Sequence, residues 1–203
     1  MAYSFRILGK VNPNITVGDI HEKLAGENLQ ADFHLQRGVA DNWEQIILKS
    51  QRGTDLVLIE KTEIQPGARG EEQMQAFKDA VYGDKPDNAA AWLINYFDQI
   101  KVVYTFEIVS REIGEENYWD VVTELKMLFW DITQGIFQAD HEGFSNEDGF
   151  LILWHFDEHA NGPRHVGTLD ENGEWVNYEI ELDNPQHRAD FLAGRLPDNL
   201  ERL

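Results

Sequence analysis

The sequence predicts an α+β fold in which mixed or mainly antiparallel sheets pack against about four helices and the chain closes in β-hairpins. Three observations carry this. Apolar residues alternate with polar ones near both ends of the chain, they recur at spacings of three and four in its middle, and Gly, Pro, Asn and Asp punctuate the transitions. Residues 1–203 read as one compact domain, which the break Pro66-Gly67-Ala68-Arg69-Gly70 would subdivide into a strand-rich front, 1–66, and a helical middle with carboxy-terminal hairpins, 67–203.

Tyr3, Phe5 and Ile7 fall on one side of an opening strand, Tyr3 to Leu8, ended by Gly9 and the turn Asn12-Pro13-Asn14. Thr16 then caps a short helix on which Val17, Ile20 and Leu24 share a face and Gly26 ends the run. A strand from Leu29 to Gln36 would turn Leu29, Ala31, Phe33 and Leu35 inward. Glu44 to Lys49 and Asp55 to Ile64 continue as strands joined by a loop at Gln51-Arg52-Gly53-Thr54.

In the middle, Met74, Phe77 and Val81 mark a helix with Glu71 and Glu72 at its positive end and Gly83 past its close. A second helix follows Pro86, capped by Asp87 or Asn88, with Leu93, Phe97 and Ile100 on one stripe beside Trp92 and Tyr96. Lys101 to Val109 alternates again, its apolar set Val102, Tyr104, Phe106 and Ile108 facing a core. The strongest element is a helix from Glu116 to Gln134, with Tyr118, Val121, Val122, Leu125, Leu128, Phe129 and Ile132 as its stripe. Glu115 and Glu116 suit its start, Gly135 its left-handed cap, and Trp119, Met127 and Trp130 suggest cover on a second side. Short strands over Ile136 to Ala139, Gly149 to Phe156, Arg164 to Leu169 and Glu174 to Leu182 follow, the last two joined at Asn172-Gly173. A final helix over Pro185 to Ala193 stops at Gly194.

The composition bounds the function. Thirty-seven acidic against 17 basic side chains give a net charge of −20, which excludes nucleic acid and anionic membrane surfaces as partners, since both are held by Lys and Arg. Hydrophobic residues at 42% are enough for a packed core. With no cysteine there are no disulfides, thiolate metal sites or cysteine nucleophiles. No stretch approaches a membrane span, and the first ten residues lack the pattern of a signal peptide, so the expected location is the cytoplasm. The acidity is uneven: residues 107–183 hold 19 acids against Arg111, Lys126 and Arg164.

Two readings of function follow. Four histidines, His141, His155, His159 and His165, lie among Asp140, Glu142, Asp157 and Glu158. His141, His155 and His159 are the candidate ligands of a divalent metal in a small metal-dependent enzyme. His155-Phe156-Asp157-Glu158-His159 spells H-x-x-E-H, but that motif works on a helix, and here it follows a strand-like run and enters Asn161-Gly162-Pro163. Phosphate-loop, nucleophile-elbow, dinucleotide and calcium-loop patterns are absent from the sequence, and no cofactor is called for.

The other reading is a non-enzymatic binding or inhibitory module. Trp175 and Tyr178 fall on opposite faces of a strand flanked by Glu174, Glu179 and Glu181, so at least one would face solvent as an aromatic anchor on an acidic surface for a basic protein partner. In charge and size alone, the chain is similar to immunity proteins that neutralise basic nuclease toxins and to acidic proteins that mimic DNA. Strand edges also leave room for a homo-oligomer.

Overall fold

The computed structural model describes residues 3–114, 117–157, 159–197 and 200–203. In chain order its elements are β1 (Tyr3–Gly9), α1 (Val17–Gly26), β2 (Asp32–Val39), β3 (Asn42–Lys49), β4 (Asp55–Glu63), α2 (Arg69–Val81), α3 (Asp87–Phe97), β5 (Val102–Ile108), a turn of 3-10 helix (Arg111–Gly114), α4 (Tyr118–Thr133), β6 (Ile136–Ala139), β7 (Gly143–Phe144), β8 (Pro163–Leu169), β9 (Trp175–Glu181) and α5 (Pro185–Leu192). The fold is α+β with antiparallel strand pairing, as the sequence predicts. The chain forms two compact units, one from residues 1–70 and 100–135, the other from 71–99 and 136–203.

The first unit is an antiparallel sheet in the order β2-β3-β4-β5-β1, with α1 and α4 on one face. In register, Ile7 lies beside Tyr104, Phe5 beside Phe106 and Ile59 beside Phe106, so the inward residues of three strands form one apolar surface. Val121, Val122, Leu125 and Phe129 of α4 and Ile20 and Leu24 of α1 bury their stripes there. The Thr16 cap closes a full capping box: its hydroxyl accepts from the Asp19 amide at 3.1 Å, while the Asp19 carboxylate accepts from the Thr16 amide at 2.7 Å. The Thr16 amide and the Thr16 hydroxyl, which donates to the same carboxylate oxygen at 2.8 Å, hold the Asp19 carboxyl below its ordinary pKa.

Three sequence expectations are corrected in this unit. The second strand starts at Asp32, not Leu29, and is the free edge of the unit's sheet. Register shifts around Gln36 and Arg37 bulge it, so Leu35, expected inward, is 43% exposed. The long helix ends with Gln134 in the left-handed conformation (φ 51°, ψ 49°). Gly135 is needed elsewhere, because a Cβ there would lie 2.6 Å from the Leu8 carbonyl oxygen. Trp119 and Met127 are each 43% exposed, so that side of α4 is not covered. The expected helix start at Glu115 and Glu116 lies outside the described residues.

Two apolar clusters stand out among the described residues of the second unit. Phe77 of α2, Phe97 of α3 and Phe144 of β7 pack at centroid distances of 5.6–5.8 Å. Leu151, Val166, Tyr178, Ile180, Leu182 and Phe191 form the other, beneath the β8–β9 hairpin. The α3 cap is Pro86, with no side-chain bond, rather than Asp87 or Asn88. The expected strand over Gly149 to Phe156 does not form as such. The Asn146 side chain accepts from the Asp148 and Phe150 amides (3.1 and 2.9 Å), which turns the chain, and Leu151 then bonds to β8 and Ile152 to β7 before a bend at Leu153. The β8–β9 loop is longer than the two residues expected. Asp170 and Glu174 close it backbone to backbone at 2.9 Å, and the Asp170 carboxylate accepts from the Asn172 and Glu174 amides, bonds that hold its pKa down.

Candidate functional site

The histidines proposed as ligands are held by different neighbours. His141 is exposed in the turn between β6 and β7, in the left-handed conformation (φ 65°). His155 is half-buried, its Nε2 2.7 Å from Asp84 Oδ2, and its ring meets Phe144 edge-on. His159 is exposed, its amide donating to Asp157 Oδ1. His165 is exposed too, 3.1 Å from Glu179 Oε2 and stacked on Phe150. Among the described residues, no three His, Asp or Glu side chains gather in a metal-holding arrangement, and residues 155–157 and 159 lie in no helix. Glu158, the acid of the H-x-x-E-H spelling, lies outside the described residues.

The acidic strand is better defined. Along β9 the residues alternate: Tyr178 and Ile180 point into the core with Leu182 just beyond, while Trp175, Asn177, Glu179 and Glu181 share the opposite face. Glu174, Glu179 and Glu181 are exposed and Trp175 is half-buried. Tyr178, expected as a possible anchor, is fully buried and its hydroxyl donates to the Arg195 carbonyl, so it has no surface to offer a partner.

Trp175 meets Trp92 of α3 edge to face at 5.1 Å, and Trp92 stacks on Tyr96 at 4.7 Å. The loop before residue 149 is clamped to the same place. Asn146 Nδ2 donates to Asn177 Oδ1 at 3.0 Å, Asn177 Nδ2 donates to Asp148 Oδ2 at 3.3 Å, and Glu147 is hydrogen-bonded with the Tyr96 hydroxyl. A side chain at position 167 would collide with this clamp, since a Cβ on Gly167 would fall 2.9 Å from Asn177 Oδ1. Sequence reading placed Trp92 beside a helical stripe and missed Asn146 and Asn177. Their pairing spans 31 residues, and no local pattern announces it.

Comparison with protein-family models, with curated proteins and with solved structures finds no match. The site is therefore read from its own chemistry.

Basic residues in the second unit are few and mostly engaged within it. The unit holds 21 acids and six bases, against 16 and 11 in the first. Lys78 pairs with Asp98, Lys85 with Asp87, Arg164 with Glu142 and Arg195 with Asp190, at 2.5–3.0 Å. Arg188 lies over the Trp154 ring and donates to the Leu182 carbonyl at 2.7 Å. Among the described residues, no helix is long and apolar enough to cross a membrane.

Burial pushes the Tyr178 phenol up to about 12, and burial followed by the nearby Glu147 carboxylate raises Tyr96 further. The unfolded phenol ionises near pH 10. Between that pH and about 12 the unfolded chain has lost the Tyr178 proton that the folded chain keeps, so stability present below pH about 10 is lost as the pH rises. Urea unfolding midpoints of the second unit are expected to fall between pH about 9 and about 11, and to fall less in Tyr178→Phe. An equal fall in both proteins would exclude Tyr178 as a cause.

Proposed function

We propose that this chain is a non-enzymatic binding or inhibitory module whose second unit docks a basic protein. One observation carries the reading: net charge is −15 on the second unit and −5 on the first, so three quarters of the charge is concentrated on one body. Four of that unit's six cations are already paired with its own acids, while Glu174, Glu179 and Glu181 stand exposed along β9. Such a field accelerates encounter with a positive partner by about 10–1000-fold at low ionic strength, and salt screens it.

The test is a pull-down with wild-type protein and with Glu174→Lys/Glu179→Lys/Glu181→Lys, followed by association rates for the captured protein at low and high salt. All three positions are exposed, so the variant is expected to fold. The expected result is a basic protein captured by the wild type, lost or strongly weakened with the variant, and associating more slowly as salt rises. Capture unchanged by the reversal, or an association rate indifferent to salt, would overturn the proposal.

A further inference from the structure

We infer that the Trp92–Trp175 corner of the second unit is the anchor for an arginine side chain of the basic partner, an inference that rests on the reading just given. The two rings meet at 81°, and each keeps part of its surface in solvent. Tyr96 is buried and stacked behind Trp92, so that indole is backed on one face and fixed in place. Three carboxylates are tied to the residues of this corner by sequence or by hydrogen bond. Glu174 immediately precedes Trp175 and is exposed, Glu147 is hydrogen-bonded with the Tyr96 hydroxyl, and Asp148 accepts from Asn177, which shares the Trp175 face of β9. The phenol and the amide are neutral, so these two bonds position the charges without cancelling them.

A half-exposed indole pair edged by fixed carboxylates has a chemical complement. A guanidinium is planar and weakly hydrated, stacks on an indole face, and meets a carboxylate with two parallel hydrogen bonds. An ammonium carries the same charge but has no plane to stack. Aromatic anchors of this kind dominate binding energy when partner contacts shield them from water. The corner thus adds a geometric requirement to a surface that would otherwise select by charge alone.

The probes are nona-arginine and nona-lysine peptides added to the full chain at low salt, with affinity measured by calorimetry and the indole N–H resonances followed by NMR. Nona-arginine is expected to bind and to move the Trp92 and Trp175 resonances, assigned through Trp→Phe variants, while leaving Trp119 in place. Trp175→Leu is expected to weaken nona-arginine roughly three- to tenfold and nona-lysine by less than twofold. Trp175→Phe, which keeps an aromatic face against Trp92, guards against a folding defect and is expected to retain most of the affinity. If nona-arginine binds without moving Trp92 or Trp175, or if both peptides lose the same factor with Trp175→Leu, the anchor is wrong and the basic-partner reading stands without it. If neither peptide binds, both fall.

Discussion

Phe129→Ala is expected to destabilise the first unit by about 3–5 kcal/mol, among the largest single effects available there. The ring is fully buried at the junction of helix and sheet, stacked on Tyr104 at 4.6 Å, 5.7 Å from Phe106 and 6.1 Å from Trp43. Those neighbours are held from separate elements. Trp43 Nε1 donates to the Ile15 carbonyl, and Tyr104 and Phe106 are locked in register between β1 and β4. None can move far to fill the space, so the cost includes the cavity as well as lost transfer energy. Urea denaturation followed by tryptophan fluorescence and amide exchange in β5 reads the effect. Phe129→Leu should cost far less. A loss under about 1 kcal/mol for the alanine variant would show that this cluster is not what holds α4 to the sheet.

The second large effect is Gly143→Ala. A Cβ at this position would lie 2.1 Å from the Leu153 carbonyl oxygen, and the residue sits at φ 121°, where side chains are strained regardless of space. Both terms act on backbone that cannot yield easily. Gly143 pairs with Ala139 across β6–β7, and the Ile152 amide is bonded to the Phe144 carbonyl. A cost of about 3 kcal/mol or more is expected, with the Phe77–Phe97–Phe144 cluster loosened. Gly173→Ala separates the two causes. Gly173 has φ 80° but no atom within 4 Å of the added carbon, so only the conformational penalty of about 1–2 kcal/mol applies. Equal losses for the two variants would refute the steric argument.

Where patterns are local, the sequence told most of this architecture. The α1 cap at Thr16, the stripe from Val121 to Phe129 and the alternation of Val102 to Ile108 all state their partners within a few residues, because helix and strand periodicity is a property of neighbouring side chains. Exceptions occurred where a distant group imposed a competing demand. Leu35 faces outward because its strand is an edge with a bulge. Gln134 takes the left-handed cap that Gly135 seemed suited for, since Gly135 is spent on close approach to Leu8. Phe150 to Trp154 forms no strand of its own: the Asn146 side chain turns the chain before it, and a bend at Leu153 follows the single bridge residue Leu151.

The candidate site divides in the same way. Sequence by itself determined the α+β class, the acidic excess in the later part of the chain and the exposed glutamates of β9, each being a matter of composition or period-two alternation. Only the tertiary structure decided that Tyr178 is core and Trp175 is surface, that Trp92 of a helix 83 positions earlier completes the aromatic corner, and that the clustered histidines find separate partners in Asp84 and Glu179. The reason is physical. Which face of a strand is buried, and which distant ring or carboxylate meets it, depends on packing between elements far apart in the chain, and that information is absent from any window of neighbouring residues.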